Sequence, residues 1–187
     1  MNTVVSSPTV LIVPGLRDYV ADHWQTHLAC RLPNARAVPP LEHDKLSLAA
    51  RVAVLDATLA SIEGPVILVA HSAGVMIVAH WAMRHNRAIL GALLATPPDL
   101  EAPMPDGYPR LDDLRAQGWL PMPRRKLPFP SIVAASTNDP LARVERVAEL
   151  AQVWGSRFVD LGAVGHLNPA GGYGVWPRAT ELIAELS

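Results

Sequence analysis

The sequence has little cysteine, little charge and no long apolar run. Its one cysteine, Cys30, allows no disulfide within the chain, which favours a reducing cytoplasm. Charged residues make up 18% of the chain, and the net charge of −1 offers no long-range attraction to nucleic acid or to an anionic membrane. No apolar run reaches the roughly 18 residues of a membrane span, and residues 1–8 lack the features of a signal peptide. We therefore expect a cytoplasmic protein that binds neither nucleic acid nor membrane.

Short apolar runs alternate with helical patterns along the whole chain. Continuous apolar runs are typical of strands that are buried on both faces of a parallel sheet. At 187 residues, half of them apolar, the chain predicts one α/β domain over residues 1–187. We expect a mainly parallel sheet of about six strands with helices on both faces. The predicted strands are 9–13, 36–38, 66–69, 89–95, 132–135 and 157–161, and the predicted helices are 23–31, 46–62, 74–84, 141–154 and 177–186.

Residues 97–130 break this alternation, because they hold 9 of the 18 prolines of the chain. Proline fixes φ and removes a backbone donor, so this segment is predicted to be mostly irregular. It follows the carboxyl end of a predicted strand, where open parallel sheets bind ligands, so it takes the position of a lid. Its large apolar side chains either form the wall of a substrate pocket or only anchor the segment to the sheet. They are Met104, Trp119, Met122 and Phe129.

The best candidate for a nucleophile is Ser72, in the segment Ala70-His71-Ser72-Ala73-Gly74. It follows a predicted strand and begins a predicted helix, which is the context of a nucleophile elbow. The usual pattern is G-x-S-x-G, and Ala70 replaces the first glycine. The free amides at the start of the helix favour developing negative charge near the serine. The alternative is that Ser72 only caps the helix.

A serine hydroxyl needs a base to remove its proton, and His166 lies in a glycine-flanked loop after the last predicted strand. Asp139, after the strand at 132–135, is the candidate that orients the imidazole. The order Ser72, Asp139, His166 is that of an α/β-hydrolase triad, and each residue follows the carboxyl end of a different strand. The alternatives to Asp139 are Asp99, Asp106 and Asp160.

Two backbone amides are expected to bind the oxyanion, those of Ala73 and Leu16. His71, next to the nucleophile, is expected to point away from the site. His23 and His27 have a spacing that metals can use, but the glutamate of H-E-x-x-H is absent, so no metal is predicted.

Several segments resemble those of one family of small α/β-hydrolases, that of YdeN and the retinoblastoma-binding serine hydrolases. The resemblance implies a compact hydrolase core with a serine triad and no large lid domain. Its most specific part is the long block that contains His166. The matching segments are Val13-Pro14-Gly15, His23-Trp24-Gln25, the turn at Ser72, residues 136–140 and residues 165–177.

These observations predict a serine hydrolase of small or medium esters or amides, which forms an acyl-serine intermediate and needs no cofactor. Two alternatives remain at this point. In the first, the chain keeps the hydrolase scaffold but binds a protein partner through the 97–130 surface. In the second, it is an acyltransferase, in which an alcohol or amine replaces water at the same triad.

Overall fold

The computed structural model describes residues 7–187, which are organised around a six-stranded sheet. Residues 1–6, part of the segment in which the sequence predicts no signal peptide, lie outside the described residues. The strands are β1 (Thr9–Val13), β2 (Ala35–Ala37), β3 (Val66–His71), β4 (Gly91–Ala95), β5 (Ser131–Ala135) and β6 (Arg157–Asp160). Their order is β2-β1-β3-β4-β5-β6, and all neighbouring pairs are parallel. All carboxyl ends therefore lie at one edge.

Helices cover both faces of the sheet, so both faces are buried. They are α1 (Trp24–Arg31), α2 (Leu48–Ala60), α3 (Ala73–Ala82), α4 (Leu111–Ala116), α5 (Val144–Trp154) and α6 (Arg178–Ala184). In β3, Leu68 belongs to the core beneath α2, α3 and α5, whereas Ile67 and Val69 belong to the core beneath α1 and α6. Because successive side chains point to opposite faces, this double burial explains the continuous apolar runs. The predicted α/β fold without a large lid is confirmed.

Residues 97–130 are mostly irregular, as their prolines predict, but they contain α4, which the composition did not indicate. The later part of this segment enters the protein core. Trp119 is fully buried, and its indole N–H donates to the Leu46 carbonyl oxygen at 2.7 Å. The carbonyl of Trp119 lies 3.2 Å from Nε2 of the buried His80. Met122 and Phe129 are buried in the same core.

Candidate active site

Ser72 lies in the turn that joins the end of β3 to the first residue of α3. Its φ of 56° and ψ of −127° are rare for a residue with a side chain, so the turn is strained. Gly15, in the loop after β1, approaches this turn closely. A β-carbon on Gly15 would lie 3.3 Å from the Ser72 β-carbon and 3.7 Å from its Oγ. The two loops therefore meet at the serine hydroxyl.

Ser72, His166 and Asp139 form one chain of hydrogen bonds. His166 Nε2 lies 2.8 Å from Ser72 Oγ, and His166 Nδ1 lies 2.9 and 3.0 Å from the two carboxylate oxygens of Asp139. A carboxylate accepts hydrogen bonds, so Nδ1 carries the proton and Nε2 accepts from the Ser72 hydroxyl. The side chains of His166 and Asp139 are 5% and 2% exposed. The imidazole is thus held in the tautomer that a general base requires.

The loops that carry Asp139 and His166 are bonded to each other. The Asn138 side-chain oxygen accepts from the Gly165 N–H at 2.7 Å, and Ser136 Oγ accepts from the Val164 N–H at 3.2 Å. Asp139 also accepts from the Leu141 N–H at 2.9 Å. The carboxylate therefore has two different donors that fix its orientation toward the imidazole.

The other three carboxylates that the sequence offered have different contacts. Asp99 pairs with Arg146 at 3.2 Å, and Asp160 accepts from the Gly162 N–H at 2.7 Å. Asp106 is exposed. Among the residues that the structure describes, Asp139 is thus the one acid of the four that contacts His166.

Leu16 and Ala73 both border the cavity beside Ser72. Within residues 7–187, neither N–H donates a hydrogen bond to another residue. The loop at Leu16 is held by Arg51, whose Nη2 donates to the Leu16 carbonyl oxygen at 3.2 Å. Arg51 is 5% exposed and is also paired with Asp18. No local sequence signal linked Arg51 to this loop, because Asp18 and Leu16 lie 33 and 35 positions away in the chain.

Contrary to expectation, His71 borders the cavity rather than pointing away. Its Nε2 lies 2.8 Å from the His166 carbonyl oxygen, so Nε2 carries a proton and donates. Burial lowers the pKa of His71 well below its usual value, and positive charge on His166 and His23 lowers it further. His71 is therefore neutral near pH 7 and holds the backbone of the His166 loop. The packing of His23, Trp24 and His166 around its ring could not be deduced from the tight turn alone.

The cavity at Ser72 has a volume of about 370 Å³. Met104 borders it, as expected for a pocket residue. Trp119, Met122 and Phe129, the other candidates for the pocket, do not border it. They are buried and anchor segment 97–130 to the core, which is the second of the two alternatives that the sequence left open. Pro98, Leu100, Tyr108, Pro109 and Leu114, from the earlier part of the segment, form the cavity wall together with Met104.

Among residues 7–187, no cluster of three or more His, Cys, Asp or Glu side chains is arranged to hold a metal ion. None of the described helices combines the length and the apolar character needed to cross a membrane.

A family model for serine hydrolases matches residues 10–185. The chain belongs to the serine hydrolase family. Its resemblance to the YdeN hydrolases is also confirmed, because this serine hydrolase is 29% identical to a YdeN-like hydrolase from Pectobacterium atrosepticum. That match covers 96% of this chain and 90% of the other, with a TM-score of 0.82.

Two further solved structures share the fold of this serine hydrolase at lower identity. The ydeN gene product from B. subtilis is 18% identical over 96% of this chain and 98% of its own, with a TM-score of 0.73. The esterase domain of a Rhodothermus marinus protein is 16% identical over 98% of this chain and 89% of its own, with a TM-score of 0.67. No curated protein gives a significant match. Family membership makes the protein a hydrolase that acts on a small molecule.

Proposed function

We propose that this serine hydrolase cleaves small or medium carboxylic esters or amides, with Ser72 as nucleophile, His166 as general base and Asp139 as the residue that orients His166. The observation that carries the proposal is the unbroken chain of hydrogen bonds from the Ser72 hydroxyl to the Asp139 carboxylate. Residues 1–187 would act as one domain, in which segment 97–130 supplies a cavity wall.

In the first half of the reaction, Ser72 Oγ attacks the substrate carbonyl carbon while its proton passes to His166 Nε2. The carbonyl oxygen becomes an oxyanion, which accepts hydrogen bonds from the N–H groups of Leu16 and Ala73. Collapse of this intermediate breaks the bond to the alcohol or amine. The leaving group takes the proton from His166, and an acyl-Ser72 ester remains.

In the second half, water replaces the leaving group. His166 Nε2 accepts a proton from the water, whose oxygen attacks the acyl carbon and forms a second oxyanion between Leu16 and Ala73. The bond to Ser72 Oγ then breaks, and His166 returns the proton to the serine oxygen. Asp139 stabilises the imidazolium in both halves. The products are a carboxylic acid and the alcohol or amine.

The size and lining of the cavity support the proposed substrate class. A volume of about 370 Å³ lies at the small end of ligand sites, which span roughly 300–1,000 Å³. Leu100, Met104 and Leu114 give its wall an apolar surface that suits an acyl or alkyl group. A long lipid chain would extend beyond this space. We therefore expect activity on short esters and little on long-chain triglycerides.

Labelling with a small alkyl fluorophosphonate tests the proposed nucleophile, because the probe phosphonylates an activated serine. Intact mass would be measured for wild type, Ser72→Ala and the exposed control Ser61→Ala, with p-nitrophenyl butyrate hydrolysis assayed in parallel. We expect one adduct and turnover for wild type and Ser61→Ala, and neither for Ser72→Ala. No adduct on folded wild type, or turnover that survives Ser72→Ala, would overturn the proposal.

A further inference from the structure

His23 lies immediately before α1 and borders the cavity, although its side chain has no place in the proposed triad. The ring centroid of His23 is 4.6 Å from that of His71, which in turn is 4.9 Å from that of His166. The three imidazoles form a row from His23 to His166, which contacts Ser72 Oγ. Because His23 and Ser72 line the same cavity, a substrate that fills this cavity from Ser72 extends toward His23.

The protonation of His23 is fixed by its surroundings. Its Nδ1 accepts a hydrogen bond from the Gln25 N–H at 3.2 Å, which caps α1, so Nδ1 carries no proton. Burial lowers the pKa of His23 to about 4, and positive charge on His166 and His27 contributes. The ring is therefore neutral near pH 7, and its single proton is on Nε2.

His23 is 7% exposed, and its Nε2–H has no acceptor among the described residues. Nε2 is not one of the fully buried unpartnered atoms, so it is accessible from the cavity that His23 borders. Such a donor loses free energy when a ligand covers it without offering an acceptor. The ring is also held rigidly, because the Gln25 side-chain amide donates to the carbonyl oxygens of Val13 at 3.2 Å and Val69 at 3.0 Å. This ties the start of α1 to the ends of β1 and β3.

We propose that His23 is a substrate-binding residue whose Nε2–H donates a hydrogen bond to an ether, hydroxyl or carbonyl oxygen of the substrate, a few bonds from the scissile carbonyl. The substrates of this serine hydrolase are then oxygen-substituted esters or amides rather than purely alkyl ones. A site built around a buried donor rejects an analogue that lacks the acceptor, because the donor is left unpaired. This inference rests on the proposed hydrolysis at Ser72.

Matched pairs of esters, in which an oxygen replaces one methylene, test this inference. An acyl series compares p-nitrophenyl methoxyacetate with the butyrate and p-nitrophenyl 3-methoxypropanoate with the pentanoate. An alcohol series compares 2-methoxyethyl acetate with butyl acetate. For each pair, the ratio of kcat/KM for the oxygen-containing ester to that for the alkyl ester is measured in every variant. Intrinsic reactivity cancels when the wild-type ratio is divided by the variant ratio.

The informative variant is His23→Asn, because asparagine is a favoured N-cap and so preserves the bond to the Gln25 N–H while removing the ring N–H. His23→Ser, also a favoured N-cap, replaces it if the asparagine variant does not fold. His27→Asn is the control, since His27 lies on the same helix and its side chain pairs with Asp22 at 2.8 Å. The quotient is the wild-type ratio of kcat/KM values divided by the ratio in the variant. We expect it to reach about tenfold for at least one pair of esters in the His23 variant and to stay at one in His27→Asn.

Failure of this inference is distinguishable from failure of the proposed function. If wild type hydrolyses the esters but every quotient for the His23 variant is one, His23 does not bind a substrate oxygen and the inference is overturned. If wild type hydrolyses none of the esters, the proposed function fails, and this inference fails with it.

Discussion

Gly74 in the first turn of α3 packs directly against the carbonyl of Val13 at the end of β1. A β-carbon on Gly74 would lie 2.2 Å from the Val13 carbonyl oxygen and 2.7 Å from that of Pro14. Only glycine permits this approach, which brings the Ser72 turn against the loop that carries Leu16. The last glycine of the elbow motif thus aligns the proposed nucleophile with one of its proposed oxyanion donors.

Replacing Gly74 with alanine should destabilise the protein by about 3 kcal/mol or more, because a β-carbon there meets backbone that is fixed by the sheet. Gly171→Ala is the matched control. Its added β-carbon would lie 3.4 Å from its nearest neighbour, the Val164 carbonyl oxygen, which is an ordinary van der Waals contact. The free energy of unfolding in urea should fall much further for Gly74→Ala. Equal losses in the two variants would contradict the explanation given for Gly74.

Asp139→Asn should lower kcat by roughly 10³–10⁴-fold, because an amide that donates to Nδ1 leaves His166 in the wrong tautomer and stabilises no imidazolium. The measurement is steady-state hydrolysis of p-nitrophenyl butyrate. Asp160→Asn is the control, since Asp160 accepts from the Gly162 N–H outside the triad. A loss of similar size in Asp160→Asn, or a loss below tenfold in Asp139→Asn, would show that Asp139 has been assigned the wrong role.

Met104 and Met122 should respond differently to alanine, because the first borders the cavity and the second is 2% exposed in the core. Met104→Ala enlarges the cavity, and we expect kcat/KM for hexanoate relative to acetate esters to rise about fivefold. Met122→Ala should instead cost about 2–5 kcal/mol of stability and leave chain-length preference unchanged. Both variants need urea unfolding and a p-nitrophenyl ester series. A change in chain-length preference for Met122→Ala, with none for Met104→Ala, would show that Met122 rather than Met104 lines the pocket.

Stability should decrease as the pH falls from 6.5 to 4. The pKa of His23 is about 4 in the folded protein, against 6.5 for an unperturbed histidine, so between these values the unfolded chain binds a proton that the folded chain does not. For His23 alone the loss amounts to roughly 3 kcal/mol, and burial of His71 acts in the same direction.

Urea unfolding at pH 7, 6, 5 and 4 measures this dependence. Carboxylates contribute too, so the comparison is between wild type and His23→Asn, which should show the smaller decrease. His43→Asn, which removes an exposed histidine that does not contribute to the lowered pKa of His23, should follow wild type. If His23→Asn loses as much stability with pH as wild type does, His23 is not held neutral by the fold.

The sequence was sufficient to predict the alternation of strands and helices, because the apolar runs of a doubly covered sheet are distinctive. It also named three side chains that the structure brings within hydrogen-bond distance, Ser72, His166 and Asp139. Their catalytic role stays a prediction. Their proximity could be predicted because each follows the carboxyl end of a strand, and the carboxyl ends of parallel strands share one edge of the sheet.

What the sequence could not supply depends on contacts between distant segments. The sequence could not predict which apolar side chains of residues 97–130 line the cavity, because an apolar side chain in a proline-rich loop suits a pocket wall and a core anchor equally well. The places of His71 and His23 depend on how α1 packs against the ends of β1 and β3. Arg51 supports the Leu16 loop from α2, and periodicity within α2 says nothing of a partner in that loop.

Segment 97–130 divides into two parts with separate duties. The part near Met104 and Tyr108 faces the cavity, whereas the part near Trp119 and Met122 lies in the core. Exchange of the part near Met104 and Tyr108 between relatives would change the range of substrates without moving the sheet or Ser72. Exchange of the part near Trp119 and Met122 would destabilise the fold. New specificity is therefore accessible by altering the residues near Met104 and Tyr108, provided that Trp119, which anchors the segment to the core, remains.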